Sequence, residues 1–325
     1  MDVAIIGAGI MGLATAHALK RAGRDVVVYE QFERGHSRGS SHGRSRIFRL
    51  AYAEPEWVRL AQEALTGWRA LEAEVDEQLL ELNGLVEIVT DLRDSSAATL
   101  DACGVVWQQI DSAEAQRRFG LRFPAGWFGV LQPEAGIVRA DRTAAAFARD
   151  LDVRYGARVA SLSDLDAAVV VVTAGAWVNE LVQPPLPVRI TRETVCYFRP
   201  AHALPLPAFV SFGQTAGIFL YALADPLHGI KAAAHHAGPA ADPDETGEAD
   251  GTLVEAITAW VAKHVALADP RPVETHTCLY TTTADERFIL ERRGRIVVGS
   301  ACSGHGFKFA PAIGARLAAL AEEAL

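Results

Sequence analysis

Near the end of the chain, SACSGHGFKF (Ser300 to Phe309) sets a histidine between two glycines and follows it with a lysine. A glycine-rich turn running into a helix, expected here from Pro311 to Ala324, leaves backbone N–H groups unpaired at the positive end of the helix dipole. Lys308 adds a full charge, so the segment suits a carboxylate or an oxygen that gains charge during reaction. The plainer alternative is a loop with one solvated lysine. At the other end of the chain, GAGIMG places Gly7, Gly9 and Gly12 in GxGxxG spacing. Soon after it, GHSRGSSHGRSRIFR concentrates Arg38, Arg44, Arg46 and Arg49 in a polar loop. Guanidinium groups of this kind hold phosphates, carboxylates or an electron-rich ring. Arg46 and Arg49, three apart, would share a face on a helical turn. Two further candidates sit singly in apolar strands. Lys231 in GIKAAA is either an edge lysine reaching water or a functional cation. Cys278 in TCLYTTT is either inert core or a reactive thiol.

The elements that must position these groups read as an α/β chain. Val3 to Ile6 is a short apolar strand, a helix runs to about Ala22, and a second strand, Arg24 to Glu30, ends in an acid. In that setting Gly7 permits a tight turn, Gly9 lets the backbone approach a pyrophosphate, and Gly12 lets helix pack on strand. Glu30 would accept hydrogen bonds from ribose hydroxyls. The pattern is a dinucleotide site, open between FAD and NAD. An amphipathic helix is expected from Pro55 to about Val75, and strands of another layer at Leu85 to Val89 and Trp107 to Ile110. Phe123 to Gly136 reads as a turn-rich connection between domains, and Asp141 as the cap of a helix reaching Leu151. Ala167 to Ala174 is a β-branched run suited to a strand buried on both faces. Thr191 to Phe198, Gly217 to Leu223, Gly229 to Ala234 and Thr277 to Thr283 form a second sheet, with a helix from Thr252 to His264. A strand from Arg295 to Gly299 leads into the glycine–lysine segment.

Composition narrows the function. A chain of 325 residues, 50% hydrophobic and 22% charged, has room for two domains. Its net charge of −9 argues against nucleic acid and anionic membranes as partners. No apolar run approaches the roughly 18 residues that span a bilayer, and the apolar N-terminus lacks a basic leader. Cys103, Cys196, Cys278 and Cys302 have no metal-ligand spacing, so no metal is expected and a reducing, cytoplasmic setting is the default.

Taken together, GAGIMG, GSSHGRSRIFR, GIKAAAH, CLYTTTADERFI and SGHGFKF resemble the monomeric sarcosine oxidase and N-methyltryptophan oxidase family, within the D-amino acid oxidase superfamily. The resemblance spans nearly the whole chain. It implies a Rossmann-like FAD-binding domain with a second, mainly antiparallel-sheet substrate domain. The first would comprise residues 1–82, 136–188 and 283–325, the second 83–135 and 189–282. It implies FAD bound through Gly7, Gly9, Gly12 and Glu30, with Ser41, Arg46, Val159, Gly304, Gly306 and Lys308 as further contacts, and attached covalently to Cys278. Arg49 and Lys308 would hold the substrate carboxylate. Arg46 and His42 would lie beside the flavin ring, Lys231 would assist the reaction with dioxygen, and His235 would lie near the same pocket. The implied activity is oxidation of a secondary or cyclic amino acid by a monomeric enzyme, yielding an imine and hydrogen peroxide. A dehydrogenase using another acceptor, a biosynthetic tailoring flavoenzyme acting on a cyclic imino acid or carrier-bound amino acid, and a non-catalytic FAD module are the alternatives. Three departures stand out. Leu220 occupies the place of a tyrosine over the substrate, which implies a larger or more apolar pocket with Tyr221 on the opposite face. Arg44 stands where an acid is common. The chain between Val159 and Ala167 is short, leaving less cover over the adenine side.

Overall fold

A computed structural model describes residues 1–215, 218–300 and 302–325. Gly217, the expected start of one strand, and Ala301 of the glycine–lysine segment lie outside the described residues. A six-stranded sheet is ordered Ile289–Arg293, Ile296–Ser300, Val169–Val172, Val3–Ile6, Val26–Tyr29, Asp152–Arg154. The five strands after the first run parallel, and the Ile289–Arg293 edge is antiparallel. Val3–Ile6 and Val169–Val172 are buried at every residue, as β-branched runs covered on both faces must be. One face is covered by the helices Ile10–Arg21 and Ala310–Glu322. They approach so closely that a Cβ on Gly314 would lie 2.7 Å from Ala14. The Arg24 guanidinium clasps the Glu322 carboxylate, pinning the last helix to the turn before the second strand. That helix begins at Ala310, one residue before its proline, after a 3₁₀ turn at Gly306–Phe309.

An eight-stranded sheet is ordered Glu274–Thr282, Arg189–Phe198, Gly229–His235, Ile218–Asp225, Ala208–Thr215, Leu85–Val89, Phe128–Gln132, Gln108–Ile110. The helix Gly251–His264 packs Ile257, Trp260 and Val261 against Leu220, Ala222, Ile230, Ala232 and Ala234 on one face of it. Strand alternation therefore turns Tyr221, Leu223, Lys231, Ala233 and His235 to the other face. One expectation is corrected here. Phe123 to Gly136 is more than a connection, because Phe128–Gln132 is a paired strand with Gln132 fully buried. The Gln132 Oε1 accepts from the Leu50 and Ala51 N–H groups at 3.0 and 3.2 Å, tying the arginine-rich segment to this sheet. The strand hides in sequence because its turn-forming flanks mask only five ordered residues.

A small third sheet joins Ser45–Phe48 and Leu80–Glu81 to Gly136–Arg139. Arg46 thus lies on a strand, with Arg49 just beyond its end, and not on a helical turn. Nor does Asp141 cap a helix to Leu151. The helix is Ala140–Ala148, Asp141 lies within its first turn, and Arg139 takes up its carboxylate at 2.9 Å. Between Arg154 and Val169 the chain forms only the 3₁₀ turn Leu162–Asp164, a thin cover.

Candidate active site

A cavity of about 490 Å³ runs from the glycine turn to the Cys278 strand. Gly7 has φ +101°, and a Cβ there would meet the Thr173 carbonyl oxygen at 2.6 Å. A Cβ on Gly12 would fall 1.9 Å from the Gly7 oxygen, so both positions demand glycine. Ser41 Oγ accepts from the Ile10 N–H at 3.0 Å beside Gly9 and holds the arginine-rich loop over the helix start. Glu30 is buried at the end of its strand and takes the Ala8 and Phe32 N–H groups at 2.8 and 3.0 Å. Val159, Gly304 and Gly306 also line the cavity. Three of its polar atoms, His42 Nε2, Thr281 Oγ1 and Ser300 Oγ, are buried with no hydrogen-bond partner among the described residues. Buried polar atoms are rarely left so. An elongated cavity with a helix N-terminus, an acid and orphaned polar groups fits FAD.

At the far end of the cavity the charges gather. Arg46 donates to the carbonyls of Ser40, His42 and Ser45 at 2.7, 2.5 and 2.9 Å, and its guanidinium lies 5.3 Å from the Phe307 ring centre. Lys231 is only 5% exposed and donates to the Ser45 carbonyl at 2.9 Å. Burial, and then the Arg46 charge, hold its pKa well below the usual lysine value. Burial together with Arg46 and Lys231 pushes His42 down to about 3, so its ring is neutral. Burial pushes the Cys278 thiol up, and the charges of Arg46 and Lys231 pull against it.

Beyond this end lies a second cavity of about 60 Å³. Arg46, Tyr221, Lys231, Tyr280, Gly304 and Phe307 line both spaces, so one opens onto the other. Arg49, Lys308, His235, His305 and Phe219 also line the smaller one. Arg49 is braced on the Ala51 carbonyl with its guanidinium 4.1 Å from the Tyr52 ring centre. Lys308, 6% exposed, donates to the His305 carbonyl at 2.8 Å, and no carboxylate lies within 4 Å of it among the described residues. Burial, then Arg49, holds its pKa well below normal. Lys308 faces this smaller cavity and is not on the wall of the larger one.

A family model for FAD dependent oxidoreductases matches residues 2–320. The chain belongs to that family. Human peroxisomal sarcosine oxidase is 33% identical, the match covering 96% of this chain and 90% of the relative. N-methyl-L-tryptophan oxidase of Yersinia pestis (strain Pestoides F) is 26% identical over 99% of this chain and 95% of its own. Among solved structures, NikD, an unusual amino acid oxidase essential for nikkomycin biosynthesis, superposes with a TM-score of 0.86 at 28% identity, covering 99% and 94% of the two chains. The likeness places this chain among flavoprotein oxidoreductases acting on CH–NH groups.

As a member of the FAD-dependent oxidoreductases, the chain departs from the sequence reading at Leu220. Leu220 is fully buried under the Gly251–His264 helix and touches neither cavity. Tyr221 faces both, because Leu223 pairs directly with Lys231 and cross-strand partners share a face. The cavity is therefore not opened or made more apolar by Leu220. Tyr221, Tyr280 and Phe219 were the residues missed. Counting by twos from Lys231 and its partner strand would have found the first. The Tyr280 hydroxyl lies 3.2 Å from His235 Nδ1. Burial, then His236, keeps His235 neutral.

Arg44 also sits outside both cavities. It pairs with Asp225 at 3.0 Å and Glu274 at 3.1 Å and stacks 4.7 Å from the Tyr197 ring centre. Burial opposes ionisation of Glu274, but hydrogen bonds from His276, His228 and Arg44 hold it at about 2. This residue ties three segments together and makes no contact with the site.

Proposed function

We propose that this protein oxidises the carbon next to nitrogen in a secondary or cyclic amino acid of the sarcosine, N-methyl amino acid, proline or pipecolate type. The products are an imine, which water hydrolyses, and hydrogen peroxide from dioxygen. One observation carries the reading: Arg49 and the carboxylate-free Lys308 converge on a small cavity that opens directly onto the end of the FAD-sized one. The Gly7 and Gly9 turn, Glu30 and Ser41 would hold FAD in the larger cavity, where it would supply the electron-accepting chemistry.

The chain's own residues supply position and field. Arg49 and Lys308 grip the carboxylate, which fixes the neighbouring carbon toward the larger cavity. Tyr221, Tyr280 and Phe219 fill the walls around the substrate, and His235 is held against Tyr280. The surrounding cations disfavour an ammonium ion, so the amine binds in the neutral form the chemistry needs. Lys231 sets its amino group beside the reacting centre, where negative charge develops, and Arg46 and neutral His42 flank the same end. Cys278 is proposed as the covalent anchor; Arg46 and Lys231 supply the charge that favours the thiolate required for attack.

The reading extends to the cofactor domain at residues 1–82, 136–188 and 283–325 and the substrate domain at 83–135 and 189–282. All four cysteines are free, in keeping with a reducing compartment, and a cytoplasmic monomer is proposed. No described helix is long and apolar enough to cross a membrane. The test is anaerobic addition of sarcosine, N-methyl amino acids, proline and pipecolate to the purified yellow protein. At least one should bleach the flavin absorbance, and admitting air should restore it with one peroxide per substrate. No bleaching by the whole panel overturns the substrate class; bleaching without peroxide points to another electron acceptor.

A further inference from the structure

We propose that His235, His236 and Glu286 form a binding site for a first-row divalent metal ion of the zinc type, and that filling it shuts the small cavity. One nitrogen or oxygen from each residue lies within 4.8 Å of the others. Two imidazoles and a carboxylate are a common ligand set for such an ion, with water in the fourth position.

The geometry around the cluster is built for contact with something. His235 ends the Gly229–His235 strand, and its Nδ1 is engaged by the Tyr280 hydroxyl, which leaves Nε2 for an ion. An outer hydrogen bond of this kind fixes the tautomer and orientation of a ligating histidine. His236 follows with φ +56°, and Glu286, in the turn between Thr283 and Arg287, has φ +58°. They are two of five described non-glycine residues with positive φ. Such backbone is uncommon outside glycine and persists where the surroundings demand it. It turns the His236 ring toward Glu286, where Nε2 stops 3.6 Å from the carboxylate, beyond hydrogen-bonding distance. That nitrogen is buried and has no partner among the described residues. On the other side, His305 Nε2 lies 3.1 Å from the Glu286 carbonyl and steadies the turn.

An ion held at about 2.0–2.1 Å from each ligand would draw the three together by a short movement of the exposed Glu286 side chain. Arg49 and Lys308 face the same cavity and repel a cation, while the Glu286 carboxylate offsets part of that field. His235 lines the small cavity, so an ion on it ties the 283–287 turn against the substrate space. The site itself stands apart from the amine-oxidation reading; only the loss of turnover rests on it.

The test uses tag-free holoenzyme and zinc chloride as the probe. Isothermal titration should give one tight site per chain, weakened at least about tenfold in both His236→Ala and Glu286→Gln. Neither variant should change metal-free turnover, and both should resist zinc inhibition. Absence of a stoichiometric site, or binding that ignores both substitutions, overturns the assignment. Binding with undiminished turnover overturns the cavity-closing role.

Discussion

Replacing Lys308 with methionine should weaken substrate binding and strengthen the fold at once. The ammonium is 6% exposed and its hydrogen-bond partner is the neutral His305 carbonyl at 2.8 Å. A buried cation without a counter-ion is costly. If the substrate carboxylate is the missing anion, one charge-assisted bond of about 1.5–3 kcal/mol is lost in the variant. At about 1.4 kcal/mol per decade this raises the KM, or the Kd of a carboxylate inhibitor, roughly ten- to hundredfold. The methyl ester of the same substrate should bind wild type and variant alike. Thermal melting of the ligand-free holoenzyme should rise in the variant. Because the folded pKa of Lys308 lies below its unfolded value, the unfolded chain holds more protons between the two. Wild type therefore gains stability as pH climbs through that window, and the variant's advantage shrinks toward pH ~10.4, the usual lysine pKa. A KM within twofold of wild type, or a melting point that falls, would refute the unpaired-cation argument.

Lys231→Met should slow the return of flavin colour in air by at least tenfold, while the rate of anaerobic bleaching changes little; stopped-flow absorbance separates the two. Cys278→Ala should release FAD into the supernatant on acid precipitation, whereas the wild-type pellet stays yellow. Leu220→Ala should cost about 2–5 kcal/mol in denaturant unfolding because it opens a core cavity, with KM unchanged. Tyr221→Phe should do the reverse, altering kcat or KM while leaving unfolding near wild type.

The cofactor half was legible because its demands are local. Gly12 is fixed by a clash with the backbone oxygen of nearby Gly7, and glycine spacing records that directly. The Val3–Ile6 and Val169–Val172 strands announce themselves by unbroken apolar runs. What was not legible depends on partners far along the chain. Ser45–Phe48 becomes a strand only because Gly136–Arg139 arrives beside it. Leu220 and Tyr221 were exchanged because a shift of one residue flips every side chain of a strand, and the helix that decides the face begins at Gly251. Arg44 looked like a site residue by its loop, yet its partners, Asp225 and Glu274, are visible only in three dimensions.

The close fit of Gly314 on Ala14, with Arg24 clasping Glu322, has a consequence for how the protein is made. The glycine turn is synthesised well before the helix that backs it. At ~5–20 residues per second, the 298 positions between Arg24 and Glu322 take roughly 15–60 s to emerge. During that interval the apolar side of the Ile10–Arg21 helix has no native cover from the end of the chain. Until that helix arrives, the turn from Gly7 to Gly12 lacks the backing it has in the folded chain, and transiently exposed apolar surface of this kind favours aggregation.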